Sequence, residues 1–86
     1  MLNPVDYFDT NGFAIESTMF ATLEDLDSSA RDFYNEIYAD KIGDPEMLRQ
    51  VFRDFADERG WSELDLRLVA ATLEEVYGVA GMAVFR

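Results

Sequence analysis

Apolar residues along the chain change their spacing from segment to segment, and the spacing predicts the elements. Leu23, Leu26, Ala30, Phe33 and Ile37 recur at three- or four-residue intervals and run on to Lys41-Ile42, which predicts helix over 22–42. Asp27-Ser28-Ser29 lies inside this stretch and offers a fresh N-cap, so a break near 27 is expected. Gly43 is expected to end the helix in a left-handed conformation, with Lys41 in its last turn. Asp44-Pro45-Glu46 then reads as an N-cap followed by a first-turn proline and acid, and Met47, Leu48, Val51, Phe52, Phe55 and Ala56 form the next apolar stripe, ended by Gly60.

Ser62 caps a last helix over 63–77, with Asp65 at the capping-box position and Trp61 and Leu66 at the staple positions. Its apolar arc is wide, which makes it the expected central helix, closed by Gly78. Two segments read differently. Asn11-Gly12 between Tyr7-Phe8 and Phe13-Ala14-Ile15 is a hairpin signal, and the tail Val79–Phe85 is apolar and β-prone. The expected fold is therefore α+β and mainly helical. One domain over 1–86 would have three or four helices and a small antiparallel sheet made by the N-terminal hairpin and the tail.

Composition narrows the chemistry. With neither His nor Cys there is no disulfide, no Cys/His zinc site, no thiolate-held cluster and no His-based triad. The net charge of −11 argues against the chain gripping nucleic acid itself. A hydrophobic content of 49% with 14% aromatics is too rich for an acidic disordered chain, so folding is expected despite self-repulsion. No run reaches the roughly 18 apolar residues of a membrane span. The start MLNPVDYFD lacks the basic and apolar regions of a signal peptide, so a cytoplasmic protein is expected. Lys41 is the one lysine among seven cations. That bias fits bidentate carboxylate pairing, a GC-rich genome or salt adaptation.

Catalytic and metal constellations fail on spacing. Placing Gly12 at the sixth position of an EF-hand puts Tyr7 at the first and Thr18 at the twelfth, where carboxylates are required. Eighteen acids guarantee close pairs by chance. Di-metal bundles need histidine, and a glycosidase cleft needs a larger domain. Ser28-Ser29 has no adjacent base. The expectation is a protein that is not an enzyme and carries no cofactor and no metal.

What stands out is where the acids fall. Asp25, Asp32, Glu36 and Asp40 share a helical face, the last three at i, i+4 and i+8, with about 6 Å of rise per step. That step is broadly the scale of successive phosphates along a strand. Like charges at this spacing destabilise a helix, and Asp54 and Glu58 repeat the arrangement on the next one. Glu75 sits badly near a helix C-terminus. Repeated breaches of a local rule direct attention to function. Tyr34 and Tyr38 are expected at the margin of the apolar stripe beside this row, where Tyr is a favoured interface anchor. The plain alternative is a solvated face and a pair of ordinary half-buried tyrosines. In that case Arg49 and Arg53 would neutralise part of the row across a short antiparallel turn, and Arg53–Asp57 and Glu63–Arg67 would be ordinary i, i+4 pairs.

The leading expectation is a small acidic inhibitor or decoy that occupies the basic surface of a nucleic-acid-binding protein. Asp25, Asp32, Tyr34, Glu36, Tyr38, Asp40, Asp54 and Glu58 would form the contact. In size, acidity and aromatic content the chain resembles, in type alone, phage and mobile-element proteins that block restriction or CRISPR machinery. No family motif carries that comparison. The competing expectation is a structural or adaptor module that self-associates or docks through the apolar last helix and tail.

Overall fold

The computed structural model describes residues 2–86; residue 1 of the expected domain lies outside them. Three α-helices follow one another, α1 (Leu23–Ala39), α2 (Pro45–Arg59) and α3 (Glu63–Glu75), flanked by short 3-10 turns at Pro4–Tyr7 and Met82–Phe85. Among the described residues there is no β-strand, so the fold is all-α and the expected small sheet does not form.

Both halves of that sheet fail for physical reasons. At the N-terminal turn the Asp9 carboxylate accepts from the Asn11 and Phe13 amides at 2.8 and 3.0 Å, and Gly12 adopts φ 84°. The turn is real, but pairing stops at two isolated bridges, Phe8 with Ala14 and Phe13 with Thr22. Phe13 and Ile15 remain exposed, so no second layer rewards a longer ladder. In the tail, Gly78 and Gly81 take φ 66° and 87°, a region that favours glycine, and turn the chain back. Met82 and Phe85, three residues apart, then point to the same side of a 3-10 turn and are buried against the helices. Met82 and Phe85 are thus spent inside the molecule and Val79 is half-buried, while Ala80, Ala83 and Val84 are exposed.

The break expected near 27 is also absent. Thr22 caps α1 by accepting from the Asp25 amide, and the helix runs unbroken through Asp27-Ser28-Ser29. Leu26, Ala30 and Phe33 are all fully buried on one stripe across that segment, and Asp27 pairs with Arg31 at 2.7 Å. Burial of the stripe outweighs the capping preference of three polar residues. At the other end, the left-handed residue is Lys41 (φ 53°), not Gly43.

The remaining caps are realised as read, although α3 ends at Glu75 with Val76 as its C-cap, short of the expected end at 77. Asp44 caps α2 with Pro45 at its first position, and Gly60 ends it at φ 68°. Ser62 and Asp65 form a reciprocal capping box on α3. α3 is the central helix, with every residue from Leu68 to Leu73 buried. Phe33 and Phe52 meet edge to face at 5.0 Å, and Phe55 and Phe85 close around them, each 5.0 Å from one of the two. Arg86 joins the ends of the chain. It donates to Glu74 and Glu75, both at 2.6 Å, and to the Leu2 carbonyl at 2.8 Å. That clasp answers the badly placed acids at the end of α3.

Candidate functional site

Glu36, from the acidic row of α1, lines a shallow groove of about 150 Å³ against α2 together with Val51, Asp54, Phe55 and Glu58. The structure therefore brings Glu36, Asp54 and Glu58 together, with Asp25 and Asp32 exposed on α1 and Asp40 exposed at its C-cap. The antiparallel reading of α1 and α2 is correct, since Glu36 does face Val51.

The inter-helix neutralisation expected from it is not present. Arg49 and Arg53 lie on another side of α2, beside Glu46, Gln50 and Phe85. Arg53 reaches Glu63 at 3.7 Å and stands over the Phe85 ring at 5.2 Å. The face that α2 turns toward Glu36 carries acids instead. Among the described residues, no ion pair involves Asp25, Asp32, Glu36, Asp40 or Asp54, and neither Arg53–Asp57 nor Glu63–Arg67 closes. Asp54 accepts from the Gln50 amide at 3.1 Å, and Glu58 has only a loose pair with Arg59 at 3.8 Å. Glu36 Oε2 is buried without a hydrogen-bond partner.

Tyr34 and Tyr38 are not beside this row. Each is two residues from Glu36, a rotation of about 200° around the helix, which carries both to the opposite margin of the buried stripe. There Tyr34 donates to the Tyr38 hydroxyl at 3.1 Å, and its ring packs 4.9 Å from Tyr38 and 5.0 Å from Tyr77. The Tyr34–Tyr38 bond pushes the Tyr34 phenol up. Burial pushes Tyr77 up as well, and it donates to Asp27 at 2.8 Å. Tyr34 and Tyr77, both raised, stay neutral at physiological pH and act as donors, while Tyr38 accepts from Tyr34. The three tyrosines lie side by side. They border a groove of about 300 Å³ floored by Ile37, Ile42, Leu48 and Val79. Tyr77 is fifty residues from Asp27 in sequence, and no local spacing points to their bond. Its only sequence signal is its place at the end of the apolar arc expected over 63–77.

No protein-family model, curated protein or solved structure matches this chain.

Among the described residues, no helix is long and apolar enough to cross a membrane. No group of three or more acids among them is placed to hold a metal ion. Two surfaces thus share α1: a carboxylate face against α2 and a tyrosine seam against α3 and the tail.

Like charges one helical turn apart are expected to cost the fold stability. Replacing Asp32, Glu36 and Asp40 by Asn, Gln and Asn removes two i, i+4 repulsions and should raise the unfolding free energy by about 0.5–1 kcal/mol at low salt. The gain should shrink as added salt screens the charges in the parent protein. Urea denaturation at two ionic strengths measures both. A triple variant less stable than its parent would mean the row supports the fold.

Proposed function

We propose that the protein is a small acidic inhibitor or decoy whose α1/α2 face occupies the basic, nucleic-acid-binding surface of another protein. One observation supports this above the others: Glu36 of the α1 row lines one groove with Asp54 and Glu58 of α2, and among the described residues the only ion pair made by these acids or by Asp32 and Asp40 is the loose Glu58–Arg59 contact. A rigid helical frame holds these carboxylates at steps of about 6 Å, so little ordering is needed on binding. A charge of −11 would steer a basic partner and make association fast and salt-sensitive. Tyr34 and Tyr38 do not belong to this contact. The face consists of Asp25, Asp32, Glu36, Asp40, Asp54 and Glu58. On this reading the protein works in the cytoplasm, among nucleic-acid-handling machinery such as restriction or CRISPR complexes, and has no catalytic role.

The test is capture from cell extract on the immobilised protein, followed by elution with duplex DNA. Nucleic-acid-binding proteins released by the duplex, and not retained by the D32N/E36Q/D40N triple variant, are the expected result. Equal retention by the triple variant would remove this face from the interaction.

A further inference from the structure

A third depression lies at the N-terminal end of α1, where that helix meets the end of α3 and the first 3-10 turn. It measures about 380 Å³, within the range of side-chain and ligand pockets, and its walls include Val5, Leu23, Leu26 and Val76. Val5 and Val76 are 55% and 67% exposed, so two branched aliphatic side chains on separate elements border one opening and face solvent.

The polar groups around it are mostly committed elsewhere. The Thr72 hydroxyl donates to the Leu68 carbonyl inside its own helix. Asp27 accepts from Tyr77 and Arg31, and Glu75 is held by Arg86. Glu24 is different: among the described residues it enters no ion pair. The mouth of an apolar groove thus carries an unneutralised carboxylate, and Asp25 follows it in the first turn of α1. Those two acids outweigh the partial positive charge of the helix N-terminus, so the rim favours a cation.

We propose that this groove receives an apolar side chain carried on a cationic segment of a partner protein. The floor supplies the burial and Glu24 pairs with a flanking Arg or Lys. Charge complementarity selects this occupant. A second copy of the chain would bring −11 against −11, and an acidic or neutral segment would leave Glu24 unpaired. The groove is separate from the α1/α2 carboxylate face, and the proposal does not rest on that face binding anything.

The test is an amide chemical-shift titration of the whole protein with three capped pentapeptides. One carries a phenylalanine between two pairs of arginines, the second replaces the phenylalanine by serine, and the third replaces the arginines by glutamates. The first should produce saturable shifts at Val5, Leu23–Asp27 and Thr72–Val76. The second should shift only the exposed acids, Asp32, Asp40 and Asp54 among them, and the third should do nothing. Val76→Ser, at an exposed position, should weaken the first peptide by about tenfold. Glu24→Gln should weaken it about threefold and flatten its salt dependence.

Three outcomes would overturn the proposal. They are equal groove shifts from the serine peptide, equal binding of the glutamate peptide, and groove shifts that follow protein concentration without peptide, which would mean self-association. None of them bears on duplex-eluted capture by the acidic face, so the two readings fail separately.

Discussion

Phe52→Ala is expected to lower the unfolding free energy by about 3–5 kcal/mol, the range for truncating a fully buried aromatic ring. Phe52 has no exposed surface, and its ring lies 5.0 Å from Phe33, 5.0 Å from Phe85 and 6.1 Å from Trp61. It therefore joins α1, the tail, and the turn into α3 at one point. Neighbouring rings are stiff and fixed on separate elements, so the cavity would collapse poorly. A domain of this size is stable by roughly 4–13 kcal/mol, so the loss is a large share of the total. Urea denaturation reads the effect. Phe13→Ser is the matched control, since Phe13 is 57% exposed and its loss should change stability by less than about 0.5 kcal/mol. Equal losses at the two positions would mean that the aromatic cluster around Phe52 does not carry the fold.

Asp65 carries the second large effect. The residue is 4% exposed, and its carboxylate accepts from the Thr18 hydroxyl at 2.6 Å and from the Met19 and Ser62 amides, both at 3.2 Å. Burial alone would push this acid up. The Thr18 and Ser62 hydroxyls and the Met19 and Ser62 amides together outweigh burial and hold it below the ordinary carboxylate range. Asp65→Ala leaves buried donors on two segments without an acceptor and is expected to destabilise by about 2–4 kcal/mol. Because the folded-state value is depressed, this stabilisation is full above the unfolded-state value near pH 4 and disappears as pH falls through the lower folded-state value. The stability difference between the parent and Asp65→Ala should therefore be constant near neutrality and narrow in acid. Protonation of the other carboxylates relieves self-repulsion in both proteins and largely cancels in the difference. A gap that widens in acid would contradict this reading.

Asp65 also shows how far local sequence patterns reach. Its capping role is visible in the sequence because Ser62 is three residues away; its bonds to Thr18 and Met19 span more than forty residues and are not. The same division runs through the rest of the fold. Stripes and caps within α2 and α3 could be read directly, because they depend on neighbours within a turn or two. The tail was misread as a strand because Val84 and Phe85 have β propensity, whereas Gly78 and Gly81 decide its path and Met82 and Phe85 its burial. Ser28-Ser29 reads as a break because capping preference is local, and the Leu26–Phe33 stripe that overrides it is satisfied only by packing on α2 and α3. At the candidate site, the i, i+4 acids were legible, but their neutralisation was not. Deciding whether Arg49 and Arg53 face α1 needs the rotation of α2, which the aromatic core sets. Tyr34 and Tyr38 were placed on the wrong margin although helix geometry alone separates them from Glu36 by about 200°.

The most direct measurement is the affinity for a duplex-eluted partner across ionic strength, for the parent and for the D32N/E36Q/D40N variant, with duplex DNA as competitor. The expected result has three parts. Parent affinity falls at least tenfold between about 50 and 200 mM salt, the variant binds more weakly with a shallower slope, and duplex and protein exclude one another. A variant with the parent's affinity and slope, or a ternary complex of partner, duplex and protein, would contradict the assignment of the α1/α2 face as a mimic of the phosphate backbone.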